Sequence, residues 1–274
     1  VHRNLGVLLA SQKRFAEAEQ AYQQALALNP DSAVTWSNLG VLHACQRQEQ
    51  LAENCYQRAL NIDPAYRLAR FNLSYLQLRQ GRFEEGWASL EARDGYRQLQ
   101  ALLPFPRWQG EALQGKHILI GIEAGHGDMI HFCRYASLLR DRGAARIGIL
   151  CHPALAPLLA THAALDVIAP IDAVLPDTGW DYWVPPMSLP FHCQTRLDSI
   201  PARLPYLHAV PQRIACWQSR IPQQGLRVGL VWRGNPRHEN DADRSLPSLA
   251  TFAALGEIAG VHFVSLQKGP GEED

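Results

Sequence analysis

Along residues 1–98 the apolar positions recur at helical spacing, in stretches separated by short polar turns. The pattern repeats itself. Asn4-Leu5-Gly6 returns as Asn38-Leu39-Gly40 and again as Asn72-Leu73-Ser74, each step being 34 residues. Asn29-Pro30 returns as Asp63-Pro64, Ala18 as Ala52 and then Gly86, Ala25 as Ala59, and Tyr22 as Tyr56. Trp36 takes the aromatic position that opens a repeat. Small residues at Gly6, Gly40, Ala18 and Ala52 let paired antiparallel helices approach closely. Leu5, Leu39, Tyr22 and Tyr56 are expected to fill the seam between them. Pro30 and Pro64 end the second helix of each pair, because proline lacks the N–H and clashes with the preceding turn.

A helix–turn–helix period of 34 residues resembles the tetratricopeptide repeat. The third copy decays, with Arg93 and Gln98 where alanine and proline belong, as a terminal repeat does when its outer face meets another domain. Asn4, Asn38 and Asn72 fall at equivalent positions on successive first helices. They either form a ladder on the concave face that holds a protein or peptide backbone, or are simply the common residue at that position.

From residue 117 onward short apolar runs alternate with helical stretches. Segments 117–122, 146–151, 166–168 and 181–184 read as strands, and 129–142 and 154–162 as helices between them. Such alternation predicts a parallel, doubly wound sheet. A polar, proline-containing stretch at 199–224 precedes a strand at 227–232, a helix at 248–258 and a strand at 261–266. The expected fold class is therefore a helical solenoid followed by a Rossmann-like α/β domain and the start of a second. The expected division is repeats at 1–98, a linker at 99–116, a first α/β domain at 117–211 and the beginning of a second at 212–274. The chain opens at Val1 inside a helical pattern and closes at 269–274 just after an apparent strand, so a fragment of a longer protein is expected.

Charge narrows the function. The 26 basic and 26 acidic residues cancel, which argues against general nucleic-acid binding. The six cysteines are scattered without a C-x-x-C pair, favouring reduced, buried thiols in a cytoplasmic protein over a metal or disulfide framework. No apolar run reaches the ~20 residues of a membrane span.

Two apparent nucleotide motifs fail on context. Gly110 to Lys116 has the spacing of a phosphate-binding P-loop, but His117 follows where Ser or Thr is needed, and the segment precedes its strand. Gly125-His126-Gly127 hints at a dinucleotide turn, yet Ile130 stands at the third glycine and no acidic residue ends the second strand. What remains is the glycine-rich turn Glu123-Ala124-Gly125-His126-Gly127-Asp128 at the carboxyl edge of the sheet. Asp128 there is either a general base or a helix cap. His126 and His131 flank it at a spacing unsuited to one helical face, and no metal site is expected. A second constellation runs from Trp232-Arg233-Gly234-Asn235-Pro236 to Asp243-Arg244-Ser245. Arginines and a hydroxyl before a helix suit a diphosphate, while Glu239, Asp241 and Asp243 equally suit a charge-balanced surface loop.

The ordered motifs Gly86-Trp87, Glu91-x-Arg93, Pro106-x-Trp108-x-Gly110, Leu113-x-Gly115-Lys116, Glu123-x-Gly125-x-Gly127-Asp128, Phe132-x-Arg134-Tyr135, Met187-Ser188-Leu189-Pro190, Ile200-Pro201, Val228 to Pro236, Asp243-Arg244-Ser245 and Ser265 to Gly269 resemble bacterial tetratricopeptide proteins with a glycosyltransferase domain. These look related to heptosyltransferase-like enzymes and, more distantly, to protein O-linked N-acetylglucosamine transferases. The resemblance implies a GT-B architecture and metal-independent transfer from a nucleotide-sugar donor, without a cofactor. It implies Asp128 as the base and Arg244 as a donor-phosphate contact. Arg233, Ser245 and Lys268 are grouped with Arg244, and Gly125, His126, Gly127 and His131 with the acceptor turn. Ala124 and His126 depart from the family's usual residues. The later segment that grips the nucleotide in the family is absent, so this fragment is expected to be inactive. The rival expectation is an interaction scaffold with a non-catalytic Rossmann-like domain.

Overall fold

Six helices form three antiparallel hairpins: α1 (His2–Ser11) with α2 (Phe15–Leu28), α3 (Ala33–Cys45) with α4 (Glu49–Ile62), and α5 (Arg67–Arg79) with α6 (Phe83–Leu90). The computed structural model describes residues 1–172, 179–238 and 240–274. They fall into two compact units, Val1–His208 and Ala209–Asp274.

The repeat has a steric cause. A Cβ on Gly6 would lie 2.5 Å from the Tyr22 ring, and one on Gly40 2.6 Å from the Tyr56 ring. Glycine lets each tyrosine lie directly against the partner backbone. The turns repeat too. Lys13 and Arg47 take left-handed φ values of 60° and 61°, and Gly81 takes 78° at the equivalent place. Each lets the next N–H reach back into the helix, Arg14 to Leu9, Gln48 to His43 and Arg82 to Gln77, all at 2.9 Å. Between hairpins, Trp36 donates to the Pro30 carbonyl and Arg70 to the Pro64 carbonyl, both at 2.8 Å. The bond is kept while the residue changes. Leu5 departs from the seam expected of it: it is 43% exposed, whereas Leu39, packed in the middle hairpin against the first, is 6% exposed.

The same unit continues through α7 (Arg97–Leu102) into β1 (His117–Ile120), α8 (His126–Phe132), α9 (Tyr135–Asp141), β2 (Arg146–Cys151), α10 (Ala156–Leu159), β3 (Val167–Pro170), β4 (Tyr182–Val184) and α11 (Leu189–His192). The four strands are parallel, in the order β3-β2-β1-β4. Ile118, Ile120, Ile147, Ile149 and Val184 face a core with Met129 and Leu139. Leu119, Leu150 and Trp183 face the other side with Tyr96 and Leu103. Both faces are covered, which is why the strands read as unbroken apolar runs. The stretch 99–116 is packed as well. Trp108 is fully buried, its backbone N–H donates to the Trp183 carbonyl at 2.8 Å, and the Trp183 backbone N–H donates to the Pro106 carbonyl at 3.1 Å.

Several elements are shorter than the periodicity suggests. The helix expected at 129–142 is two helices. At the break the Cys133 thiol donates to the Ile130 carbonyl and Arg134 Nε to the His131 carbonyl, side chains competing for backbone acceptors. Within 154–162 a 3-10 turn precedes α10, because Pro157 brings no N–H and resets the helix start. The third strand slides to Val167–Pro170, while the Asp166 carboxylate accepts the Ile147 N–H at 2.7 Å.

The second unit holds α12 (Pro211–Gln218), β5 (Leu226–Leu230) and β6 (Val261–Ser265), with Leu226 opposite Val261 in a parallel pair. Helix α12 lies in the polar, proline-containing stretch at 199–224; Pro211 fits its first turn, where an N–H is not needed. The helix expected at 248–258 is a 3-10 helix, Leu249–Glu257, with no buried residue to favour a wider, packed α turn.

Candidate functional site

With strands ordered β3-β2-β1-β4, the reversal of chain direction across the sheet falls between β1 and β4. Open α/β sheets bind ligands outside the carboxyl ends of such neighbours. Here β1 runs out to Glu123 and β4 to Ser188, and Arg93 from the end of the third hairpin lies between them. The guanidinium is 5% exposed. It grips Glu123 with two bonds, Nε to Oε1 at 2.6 Å and Nη2 to Oε2 at 2.9 Å. Nη2 also donates to Ser188 Oγ at 2.7 Å, and Nη1 to Glu91 Oε1 at 2.8 Å. Arg107 donates to Glu91 and to Ser188, and both guanidinium groups lie over the Tyr96 ring, at 5.0 and 4.3 Å. Burial by itself pushes the Glu91 carboxyl up, but Arg93, Arg107 and the Ser188 hydroxyl outweigh it and hold the group below the usual glutamate range. The residue that broke the repeat pattern is the one that fills the crevice.

Beyond Glu123 the turn 124–127 is exposed, and Ala124 takes a left-handed φ of 56°. Gly125 is the cap residue of α8, and Asp128 Oδ2 accepts the Gly125 N–H at 2.9 Å. Asp128 is thus not the N-cap residue that the sequence offered: it stands at the third helical position, and its carboxylate bonds back to the cap, Gly125. The His126 ring lies tilted against that of His152, ring centres 4.6 Å apart, joining the loops after β1 and β2. His152 was legible only as the residue after a strand; neighbouring strands bring it to His126. His131 lies on the last turn of α8 beside Phe132. Partial desolvation and the nearby Arg134 hold its imidazole below the usual histidine value. Among the described residues no group of three His, Cys, Asp or Glu could hold a metal ion. Cys55, Cys133, Cys151 and Cys193 are buried, and burial pushes the Cys133 thiol up to about 12. Cys45 and Cys216 are exposed, against the expectation of buried thiols.

In the second unit Arg233, Gly234, Asp241, Ser245 and Pro247 line a cavity of about 380 Å³. Behind its lining Gln267 fixes the backbone: Oε1 accepts the N–H groups of Trp232 and Arg233, both at 3.0 Å, and Nε2 donates to the carbonyls of Arg233 and Pro270. Sequence reading missed Gln267, although it sits in the Ser265–Gly269 motif. Arg233 is turned onto the Pro247 carbonyl and Glu273. Ser245 donates to Asp241 Oδ1 at 2.6 Å and accepts the Gly234 N–H at 2.9 Å. Arg244 is exposed and does not line the cavity; Lys268 is paired with Glu272 at 2.9 Å. The structure thus gathers Arg233 and Ser245 but places a carboxylate, Asp241, beside them. Glu239 lies outside the described residues.

The first helices of the hairpins approach one another more closely than the second helices do, which puts α1, α3 and α5 on the inner side. Asn4, Asn38 and Asn72 occupy one register there. Val7, Val41 and Tyr75 share the next, at 47%, 40% and 54% exposure, and Val34 and Leu68 a third. Spacings of three and four residues place these on one helical face.

Residues 1–65 match the tetratricopeptide repeat family. The match covers the first two hairpins, α1 to α4, and the third, α5 with α6, lies beyond it. A relative, protein FlbA of Caulobacter vibrioides, is 26% identical over 230 residues, covering 76% of this chain and 38% of that protein. The chain therefore spans well under half the length of that relative. Among solved structures, the first TPR of Spaghetti (RPAP3), bound to an HSP90 peptide, is 18% identical, covering 33% of this chain and 72% of that one at a TM-score of 0.32. The TPR2B domain of yeast Sti1 in complex with pHsp70 is 20% identical, with 33% and 73% covered and a TM-score of 0.32. Among the described residues no helix is long and apolar enough to cross a membrane.

Proposed function

We propose that the chain recognises a polypeptide on the inner face of its repeats and holds it in fixed relation to an α/β region that, in the intact parent protein, transfers a sugar from a nucleotide-sugar donor. The recognition half is supported by the aligned asparagines and exposed apolar side chains of α1, α3 and α5. The coupling rests on one observation, the Arg93–Glu123 pair that ties the last hairpin to the base of the glycine-rich turn. The transfer half rests on the ordered motifs that resemble GT-B glycosyltransferases. In this reading Asp128 takes the acceptor proton with the oxygen not committed to the helix cap, beside Gly125, His126, Gly127 and His131. Arg233, Arg244, Ser245 and Lys268 hold the donor diphosphate, and their charge serves where other transferases use a metal.

A second reading, a binding scaffold with a non-catalytic α/β region, is favoured by Arg93 filling the β1–β4 crevice and by Asp241 facing Ser245. One experiment on the full-length parent separates the two. Thermal shift with UDP-, GDP- and ADP-sugars, without metal, is expected to select one donor, with the shift lost in Arg244→Ala. Asp128→Asn is expected to keep the shift and lower transfer by about 10²-fold. Absence of a shift with every donor sinks the transfer reading and leaves the scaffold.

A further inference from the structure

A cleft of about 460 Å³ opens where α6 meets the segment after α11. It touches neither Asp128 nor the inner face of the repeats, so it does not depend on the proposed transfer reaction. Its size falls in the ~300–1,000 Å³ range of small-molecule sites.

One side is aromatic and rigid. Trp87 Nε1 donates to the Thr195 carbonyl at 3.0 Å, and the Thr195 hydroxyl is in turn held by Tyr135 at 2.9 Å. Phe191, 38% exposed, and the His192 ring continue this wall, their centres 5.1 Å apart. His192 Nε2 is buried and has no hydrogen-bond partner among the described residues. A buried nitrogen without a partner is uncommon in a folded protein.

The other lining groups are neutral amides and one balanced ion pair. Gln109 and Gln194 are exposed at the cleft, and among the described residues their side-chain amides make no hydrogen bond. Each amide offers two donors and an acceptor. Glu84 and Arg196 meet across the rim at 3.4 Å and cancel in charge. Gln194 holds a left-handed φ of 55° at the end of α11, where Thr195 N–H reaches back to the Pro190 carbonyl at 2.9 Å. That position favours glycine. A glutamine there carries backbone strain that glycine would remove, as Lys13 and Arg47 do at the ends of α1 and α3.

We propose that this cleft binds a neutral carbohydrate of mono- to disaccharide size. The lack of net charge disfavours phosphates, carboxylates and amines. Aromatic surface suits the C–H face of a sugar ring, and paired amides that both donate and accept suit hydroxyl groups whose direction varies.

The test uses the chain as it stands, residues 1–274, with N-acetylglucosamine, mannose, maltose and cellobiose as probes. Saturation-transfer NMR is run at up to about 20 mM sugar, enough to populate a site with a millimolar Kd. At least one probe is expected to receive saturation at its ring protons. Phe191→Ala and Gln194→Gly are each expected to weaken that binding by about tenfold, equivalent to one factor of ten in Kd. Gln194→Gly is also expected to raise Tm, which separates loss of binding from loss of fold. No transfer with any probe overturns the proposal. So does transfer that both variants leave unchanged, since the sugar would then lie elsewhere.

Discussion

The two α/β regions treat their ligand-prone edges in opposite ways. In the first, the crevice between β1 and β4 is closed by Arg93, which bonds to the loops on both sides. In the second, the loop after β5 keeps a cavity of about 380 Å³ that Arg233 borders without filling, its backbone fixed by Gln267. A guanidinium taken out of water needs several acceptors, and Arg93 finds them in Glu91, Glu123 and Ser188. Arg233 lies near water and spends its bonds on a carbonyl and an exposed carboxylate. The same residue type therefore closes one edge and only borders the other, and the difference is the supply of buried acceptors.

The largest effect should come from removing the closing residue. Arg93→Met leaves Glu123 buried without its partner, while Glu91 keeps Arg107 and Ser188, and is expected to destabilise the first unit by about 3–5 kcal/mol. Urea denaturation followed by tryptophan fluorescence measures it, and adding Glu123→Gln should recover part of the loss. The same pairing makes stability depend on acid. Glu91 has a lowered folded pKa, so its contribution is present above the unfolded glutamate pKa of ~4.3 and is lost as pH falls through the folded value. The urea midpoint should fall more steeply below about pH 4.3 in the wild type than in Arg93→Met. A parallel fall in both proteins would show that the cluster is not what sets the pH response.

A smaller effect is expected at the open edge. Gln267→Ala removes one side chain that satisfies two N–H groups and two carbonyls, at about 1–3 kcal/mol for the buried groups left unmet. Hydrogen exchange at Trp232 and Arg233 should speed up while exchange in β1 and β2 does not change. The smallest change belongs to the exposed turn. Asp128→Asn keeps an acceptor for the Gly125 N–H but removes the charge at the start of α8, costing about 0.3–1 kcal/mol. A loss of several kcal/mol there would mean that the turn, not Arg93, holds the carboxyl edge together.

Much of the helical region was legible because its constraints are local and repeated. Gly40 is needed because Tyr56 lies against it, and the pair recurs one period earlier as Gly6 and Tyr22. The parallel sheet was legible from apolar runs covered on both faces. The helices around it were harder, since Pro157, Cys133 and Arg134 cut them through local competition for backbone groups that a hydrophobic period does not register. At the sites, Arg233 and Ser245 do share one cavity. The bond from the Gly125 N–H to Asp128 is a sequence-local event, but the cap is Gly125 and not the Asp128 expected there.

By itself the sequence determined the hairpin period, the stops at Pro30 and Pro64, the parallel strands and the capping chemistry, all of which act within a few residues or repeat at a fixed interval. Only the tertiary structure decided where Arg93 goes, that His126 meets His152, that Gln267 holds the Trp232 loop, and that Trp87 and Phe191 share a cleft. Those partners lie between 26 and 104 positions apart in the chain. Such contacts depend on which faces are left after strands and hairpins have packed, and no local spacing in the chain encodes that remainder.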